Sequence, residues 1–399
     1  MQKPGSSAVN GRSRMVARDA GSEPRTVGVE EELLLVDGRS GQPVAVVEAV
    51  VAAAEAAPGE AASPGLEREV KREQIEVVSP PCRSLDELAR SILVGRRRAD
   101  DAARRIGVRA AALGTSVLPV DSHVTPSPRY AAIGKRFGLT MREQLTCGFH
   151  VHVAVSNDAE GVAVLDRIRP WLPVLLALSG NSPFWRGEDT GYVSYRYQAW
   201  GRWPSAGAYD LFGSPGEYHR VVASLIASGV VLDPGMVYFD ARLSAHYPTV
   251  EVRVADACMD AEDALVIAAL VRALVETAAR EWRGGIAPAP AESAVLRLAM
   301  WSASRFGTGG TGLVDPVTGA PRSPRAAVAE LLGHAAVALE HAGDRERVER
   351  GVARILAEGT GADRQRRVLA GTGSLRAVVM DAVELTNRGS KPSSAPSAA

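Results

Sequence analysis

The sequence lacks the features that secreted, membrane and nucleic-acid-binding proteins usually carry. Its three cysteines, Cys82, Cys147 and Cys258, are far apart and odd in number, which argues against a disulfide scaffold and predicts a reducing, cytoplasmic location. Lys and Arg (46) balance Asp and Glu (46), so the surplus of positive charge on which non-specific nucleic-acid binding depends is absent. No apolar run approaches the length of a membrane span, and residues 1–24 lack the apolar core of a signal peptide. We therefore expect no nucleic-acid partner and no membrane association.

The length and composition are typical of an enzyme-sized globular protein. The chain has 399 residues, of which 46% are hydrophobic and 23% charged. Residues 1–24 and 388–399 are rich in small and polar residues without periodicity, and we predict them to be disordered tails. Between them no long linker and no repeat interrupts residues 25–387, which predicts a single catalytic domain.

Hydrophobic periodicity and turn residues predict a mixed fold. Strands are expected at Thr26–Val36, Gln74–Val78, Val108–Val117, Leu145–Val155, Met236–Leu243 and Thr249–Ala255. Helices are expected around 46–57, after the capping box at Ser84, over Ala159–Leu178, after Ser214, over Ala261–Trp282 and through most of the remainder. The strands cluster in the first two thirds without regular β-α-β alternation, so we predict an α+β fold with a mainly antiparallel sheet.

Two predicted strands carry polar side chains on one face. In a strand, alternate residues point to opposite faces, so Glu30 and Glu32 share a face while Glu31 points the other way. The same alternation places His150 and His152 together, opposite apolar neighbours. Because Glu31 lies on the other face, its substitution is expected to be mild.

Two further segments continue the pattern. Glu76 is isolated among apolar neighbours, and Glu251 shares a face with Arg253. Taken singly, Glu-x-Glu is usually a solvated face and Glu-x-Arg a cross-strand salt bridge. Their joint occurrence favours a metal site, because clustered carboxylates repel one another unless a cation neutralises them.

The ligand types indicate which metal and which chemistry to expect. Several carboxylate oxygens with one imidazole suit Mg²⁺ or Mn²⁺ better than Zn²⁺, which prefers nitrogen and sulfur ligands. Hard cations beside an arginine are typical of sites that handle a nucleoside triphosphate. The sequence contains no G-x-x-x-x-G-K-[ST] motif, so any ATP must bind without a P-loop.

These motifs resemble the type-two glutamate–cysteine ligase family, and within it the YbdK-like carboxylate–amine ligases. The resemblance spans residues 26–386 and its motifs come in the family's order. They are TVGVEEEL at 26–33, Glu69 seven residues before the EVVSP of 76–80, CGFHVHV at 147–153, Ser194-Tyr-Arg196, Trp203-Pro204 with Gly207, Val250-Glu-Val-Arg253, Trp301–Gly307 and GADRQR at 361–366.

The resemblance implies a glutamine-synthetase-like catalytic fold, an antiparallel β-sheet funnel with helices packed on its outer face. It implies ATP-dependent amide formation: the γ-carboxylate of glutamate is phosphorylated, and the amine of cysteine or a related amine displaces phosphate. ATP and two or three Mg²⁺ ions would lie against the inner face. The implied metal ligands are Glu30, Glu32, Glu69, Glu76, His150 and Glu251.

The resemblance also implies the residues that handle phosphate and a possible assembly. His152 would lie near the transferred phosphate, and Arg196 and Arg253 would neutralise phosphate or substrate carboxylate. The segment from Tyr192 to Gly213, rich in Tyr, Trp and Gly, is either a substrate-binding lid or an aromatic patch that packs an irregular loop. The family further suggests a homodimer.

Two other functions stay open at the level of sequence. One is a metallohydrolase that uses His150 and His152 with a carboxylate, although the chain has only 7 histidines and no second paired motif. The other is a catalytically silent relative that binds a nucleotide or an amino acid. The sequence identifies neither the amine acceptor nor the carboxylate donor.

Overall fold

The structure is a computed structural model that describes residues 23–56, 64–309 and 312–389. Most of the two predicted tails, residues 1–22 and 390–399, lies outside the described residues. Within the described ranges, no helix is both long and apolar enough to cross a membrane.

A seven-stranded sheet, antiparallel throughout, forms the centre of the fold. The strands are β1 (Val27–Asp37), β2 (Gly65–Arg68), β3 (Gln74–Val78), β4 (Val108–Ala111), β5 (Gly148–Ala154), β6 (Phe184–Trp185), β7 (Glu188–Asp189), β8 (Ala241–Leu243), β9 (Thr249–Asp256), β10 (Leu313–Val314) and β11 (Pro321–Arg322). The order in the large sheet is β2-β3-β1-β5-β9-β8, and β4 pairs with the second half of β1. Two short hairpins, β6-β7 and β10-β11, lie apart from it.

Helices supply the rest of the regular structure. The helices are α1 (Val47–Glu55), α2 (Leu85–Arg104), α3 (Pro128–Phe137), α4 (Leu139–Glu143), α5 (Asp158–Ile168), α6 (Leu172–Ser179), α7 (Tyr195–Trp200), α8 (Pro215–Ala227), α9 (Ala261–Arg283), α10 (Ser293–Phe306), α11 (Pro324–Ala342), α12 (Arg345–Glu358), α13 (Gly361–Thr372) and α14 (Leu375–Thr386). The central helix α9 packs against β5, β9 and the helices α2, α5, α11 and α12.

The two faces of the sheet have different chemistry, as the alternation predicts. Phe149, Val151 and Val153 point into an apolar core shared with α5, α6 and α9. The intervening His150 and His152 point to the opposite face. Burial of the apolar face fixes the register, because a slip of one residue would turn every side chain over.

Glu31 lies on the helix-covered face, where it forms a fully buried ion pair. Arg96 of α2 contacts both of its carboxylate oxygens, at 2.7 and 3.2 Å. The same guanidinium donates to the carbonyl oxygens of Cys258 and Met259, at 2.7 and 2.8 Å. The alternation of the strand is confirmed, but this partner on another element changes what substitution of Glu31 is expected to do.

Three predicted elements are shorter or interrupted. The predicted helix Ala159–Leu178 divides into α5 and α6 at a 3₁₀ turn, Arg169–Trp171, because Pro170 and Pro173 lack the N–H that a continuous helix needs. The strand expected over Val108–Val117 ends at Ala111. It pairs with the second half of β1, and β5 pairs with the first half, so β5 occupies the edge of β1 along which β4 would have to continue. Of Met236–Leu243 only the last three residues pair as β8.

Candidate active site

A cavity of about 210 Å³ lies against the polar face of the sheet. Its floor carries the acidic side chains of β1 and β3 and the imidazole of His150, and aromatic side chains of the connecting segments form its wall. Strand register brings the floor together, since Glu32 pairs with Glu76 and Glu30 with His150.

Glu30 lies between the two histidines of β5. Its two carboxylate oxygens are 3.2 Å from His150 Nδ1 and 3.2 Å from His152 Nε2. Burial raises the pKa of Glu30, but hydrogen bonds and positive charge from the two imidazoles outweigh burial and hold the pKa well below its usual range. Thr249 Oγ1 lies 3.0 Å from His152 Nδ1, which fixes the orientation of that ring.

Glu32, Glu69 and Glu76 form an acidic group beside this pair. One oxygen from each lies within 4.8 Å of the others. Burial, and then the charge of Glu32, raises the pKa of Glu69 to about 7. Burial, and then the charge of Glu69 and Glu30, raises the pKa of Glu76 well above its usual range. The group therefore holds more carboxylates than the protein itself neutralises.

Glu251 is bound by two arginines from neighbouring positions of the sheet. Arg253 forms an ion pair with Glu251 Oε1, and Arg242 Nε lies 2.7 Å from Glu251 Oε2. Burial raises the pKa of Glu251, but the charges of Arg253 and Arg242 outweigh burial and keep it ionised. The salt bridge that a Glu-x-Arg strand usually forms is thus present, within the candidate site.

Arg196 approaches the same face from the first turn of α7. Its guanidinium lies against Gly148, where a Cβ atom would be 2.2 Å from Arg196 Nη2 and 2.8 Å from His150 Nε2. The N–H of Gly148 donates to Glu32 Oε2 at 2.6 Å. A side chain at this position would displace the guanidinium of Arg196 or the His150 ring from its present place.

The structure brings all the sequence-predicted site residues to one region. Three groups have ligand atoms within 4.8 Å of one another: Glu30, Glu76 and His150; Glu32, Glu69 and Glu76; and Glu30, His152 and Glu251. His152, predicted near the transferred phosphate, thus also lies in a candidate ligand group. Their roles as ligands and catalytic groups stay predictions.

Other residues of the cavity were not singled out from the sequence. They are Val70, Arg129, Tyr130, Ile133, Met141, Gln144, Gly235, Tyr238 and Arg242. Arg129, Tyr130 and Ile133 lie on α3 and Met141 on α4, two helices for which no range was predicted from the sequence. Arg242 lies in a strand that was expected, and the β8–β9 register places it opposite Glu251.

The segment from Tyr192 to Gly213 is packed into the structure and lines the cavity, while its role as a substrate-binding lid stays a prediction. Trp200 and Trp203 line the cavity. The Trp203 ring also packs edge-on against Phe137 and Tyr238, with ring centroids 4.9 and 5.7 Å away. The segment therefore forms an aromatic wall that is part of the packed structure.

Comparison with known proteins identifies the family. Residues 26–381 match glutamate–cysteine ligase family 2 (GCS2). A candidate glutamate–cysteine ligase 2-1 of Paenarthrobacter aurescens is 52% identical over 369 residues, which cover 91% of this chain and 95% of that protein. A candidate glutamate–cysteine ligase 2 of Streptomyces coelicolor is 51% identical over 362 residues, covering 91% and 99%.

Solved structures show the same fold at low identity. The crystal structure of a glutamate–cysteine ligase from Francisella tularensis in complex with AMP has a TM-score of 0.68 and 12% identity, covering 92% of this chain and 89% of that one. A bifunctional glutathione synthetase from Pasteurella multocida has a TM-score of 0.64 and 14% identity, covering 92% and 53%. The predicted fold class is confirmed. Together with the sequence matches, these findings identify the chain as a carboxylate–amine ligase, not a metallohydrolase, that belongs to glutamate–cysteine ligase family 2.

Proposed function

We propose that this enzyme joins the γ-carboxylate of glutamate to the amine of cysteine, or of a related amine, at the expense of ATP. Phosphoryl transfer from ATP to the γ-carboxylate releases ADP and leaves an acyl phosphate. The amine attacks the acyl carbon and loses a proton as inorganic phosphate leaves, so an amide bond forms. The AMP bound in the Francisella neighbour supports an adenine nucleotide as co-substrate.

The observation that carries the proposal is the set of three ligand groups on one face of the sheet. The donors are mainly carboxylate oxygens, which Mg²⁺ and Mn²⁺ prefer. Burial, and then repulsion by neighbouring carboxylates, raises the pKa values of Glu69 and Glu76, and a bound cation would favour their charged forms. The set fits two or three divalent cations, held by Glu30, Glu32, Glu69, Glu76, His150 and Glu251. When bound, such ions neutralise charge on the transferring phosphoryl group.

The protein's own cations would align the reactants. Burial lowers the pKa of the Arg253 guanidinium, but the charge of Glu251 outweighs burial and raises it, so this group stays charged. Arg196 and Arg253 bind phosphate or substrate carboxylate, and His152 lies next to the transferred phosphate. Phosphoryl transfer depends mainly on such positioning and charge neutralisation.

The aromatic wall would protect the acyl phosphate from hydrolysis. Trp200, Trp203, Tyr130 and Tyr238 stand opposite the acidic floor and limit the access of water. Excluding water also strengthens the electrostatic interactions inside the cavity.

The test is to incubate the enzyme with ATP, Mg²⁺, glutamate and a panel of amines that includes cysteine. ADP release and the mass of the amide product are measured together. We expect one amide per ADP, and a loss of about hundredfold or more in Glu30→Gln and Glu32→Gln. Glu55→Gln, an exposed change at the end of α1, serves as the control with full activity. ADP release without an amide, or no ADP with any amine, would contradict the proposal.

A further inference from the structure

The buried carboxylate of Asp256, at the end of β9, joins two separate loop segments. Its Oδ2 accepts hydrogen bonds from the backbone N–H of Asn181 at 2.8 Å and from Ser182 Oγ at 2.7 Å. Its Oδ1 accepts from Ser194 Oγ at 2.8 Å and lies 4.0 Å from Arg196 Nη1. The side chain of Asp256 is fully buried, so water supplies no substitute for these contacts.

The two serine hydroxyls in turn hold the first turn of α7. Ser182 Oγ accepts from the backbone N–H of Arg196 at 2.9 Å. Ser194 is the N-cap of α7, and its Oγ accepts from the N–H of Tyr197 at 3.4 Å. A hydroxyl has one proton. Because Asp256 accepts that proton from each serine, both oxygens are left to accept from α7.

The Arg196 side chain, by contrast, makes only long contacts of its own. Its guanidinium donates to the carbonyl oxygens of Arg253 and Val254 at 3.3 to 3.5 Å. Its buried Nε has no hydrogen-bond partner among the described residues. The backbone of α7 therefore sets where this guanidinium lies.

We propose that Asp256 is a positioning residue, which fixes Arg196 through Ser182 and Ser194 and so determines where the guanidinium meets a phosphate or carboxylate of the substrates. This inference rests on the proposed function, in which Arg196 binds one of those groups.

The GADRQR segment of α13 also holds the loop that contains Asn181 and Ser182. Gln365 of α13 donates through Nε2 to the backbone oxygen of Asn181 at 2.9 Å and to its Oδ1 at 2.7 Å. Asn181 Nδ2 donates to the carbonyl oxygens of Ala112 and Ala257. A helix distant in sequence thus holds the loop that Asp256 orients.

The main variant is Asp256→Asn, which keeps the volume but replaces one acceptor oxygen by a donor. We expect kcat/KM for amide formation to fall about tenfold to hundredfold, the size of effect that a misplaced binding group produces. In an Arg196→Ala background the same change should cost less than about twofold, because residues acting through one another are not additive. Asp166→Asn is the matched control. Asp166 is also buried, and it accepts hydrogen bonds from the N–H groups of Phe212 and Gly213, which lie outside α7, so activity should be retained.

A crystal structure of Asp256→Asn provides a readout that does not depend on activity. Displacement of α7 and Arg196 supports the inference, whether or not the wild-type enzyme forms an amide. Failure of the wild-type enzyme to form an amide would contradict only the proposed function. An unmoved Arg196, or an equal loss of activity in the Arg196→Ala background, overturns it. If Asp256→Asn does not fold, Ser194→Ala replaces it. A several-fold loss that Ser194→Thr restores supports the inference, and full activity of Ser194→Ala overturns it.

Discussion

Replacing Glu31 by glutamine should destabilise the fold far more than it affects the chemistry. Arg96 is 0% exposed and Glu31 1% exposed, and glutamine would remove the carboxylate with which this buried guanidinium forms its ion pair. Removing one partner of a buried ion pair costs about 3–5 kcal/mol. Glutamine keeps one acceptor oxygen, and the carbonyls of Cys258 and Met259 remain, so we expect the lower end, about 3 kcal/mol.

Urea-induced unfolding of Glu31→Gln, followed by circular dichroism, measures this loss. Glu262→Gln is the matched control, because Glu262 pairs with Arg347 at 2.7 Å but is 52% exposed, and it should cost less than about 1 kcal/mol. Replacing both buried partners, Glu31→Leu with Arg96→Met, should recover most of the stability, since it removes both charges. A Glu31→Gln protein of wild-type stability that no longer forms ADP would refute the reasoning and place Glu31 in the active site.

Three other results are expected. Gly148→Ala should lower amide formation at least about tenfold, because its Cβ would collide with Arg196. The control Gly134→Ala, whose Cβ meets only Met141 Cγ at 3.9 Å, should stay active in the same assay. Burial raises the pKa of Asp240 from 3.8 to about 7, so its contribution to stability is present below pH 3.8 and lost as the pH rises through about 7. Melting curves should show this decline, Asp240→Asn should remove that part of it, and an unchanged pH profile would contradict the assignment. Removing divalent cations with a chelator should abolish ADP formation, and Mg²⁺ or Mn²⁺ should restore it. If elemental analysis finds one tightly held zinc per chain and activity survives chelation, that result would count against an oxygen-ligated site.

The acidic floor of the cavity follows from the sequence because it depends only on strand periodicity. Once TVGVEEEL and CGFHVHV are strands with one apolar face, Glu30, Glu32, His150 and His152 must share the other face. That argument uses no long-range contact. The pairing of strands then brings the two segments together.

What the sequence could not show depends on contacts between distant elements. Nothing near Glu31 points to Arg96, 65 residues away, and no pattern around Asp256 marks the serines that it orients. Strand ends were also missed, because the partner strand decides where pairing stops, as at Ala111. The aromatic wall combines Tyr130 of α3 and Trp200 of α7 with Trp203 and Tyr238 of irregular segments, so no single periodicity predicts it.

The buried guanidinium of Arg96 contacts residues that the ribosome makes early and residues that it makes late, so its contacts are complete only when most of the chain has been synthesised. Its partner Glu31 and its own helix are made early, but its carbonyl acceptors at Cys258, Met259 and Thr386 are made much later. Domains fold as units as the chain leaves the ribosome, and here α14, the last helix of the described residues, packs against β4 and shares a core cluster with the second half of β1. A nascent chain that ends before α14 would therefore hold all the predicted metal ligands and still lack part of the packing that keeps β1 in place.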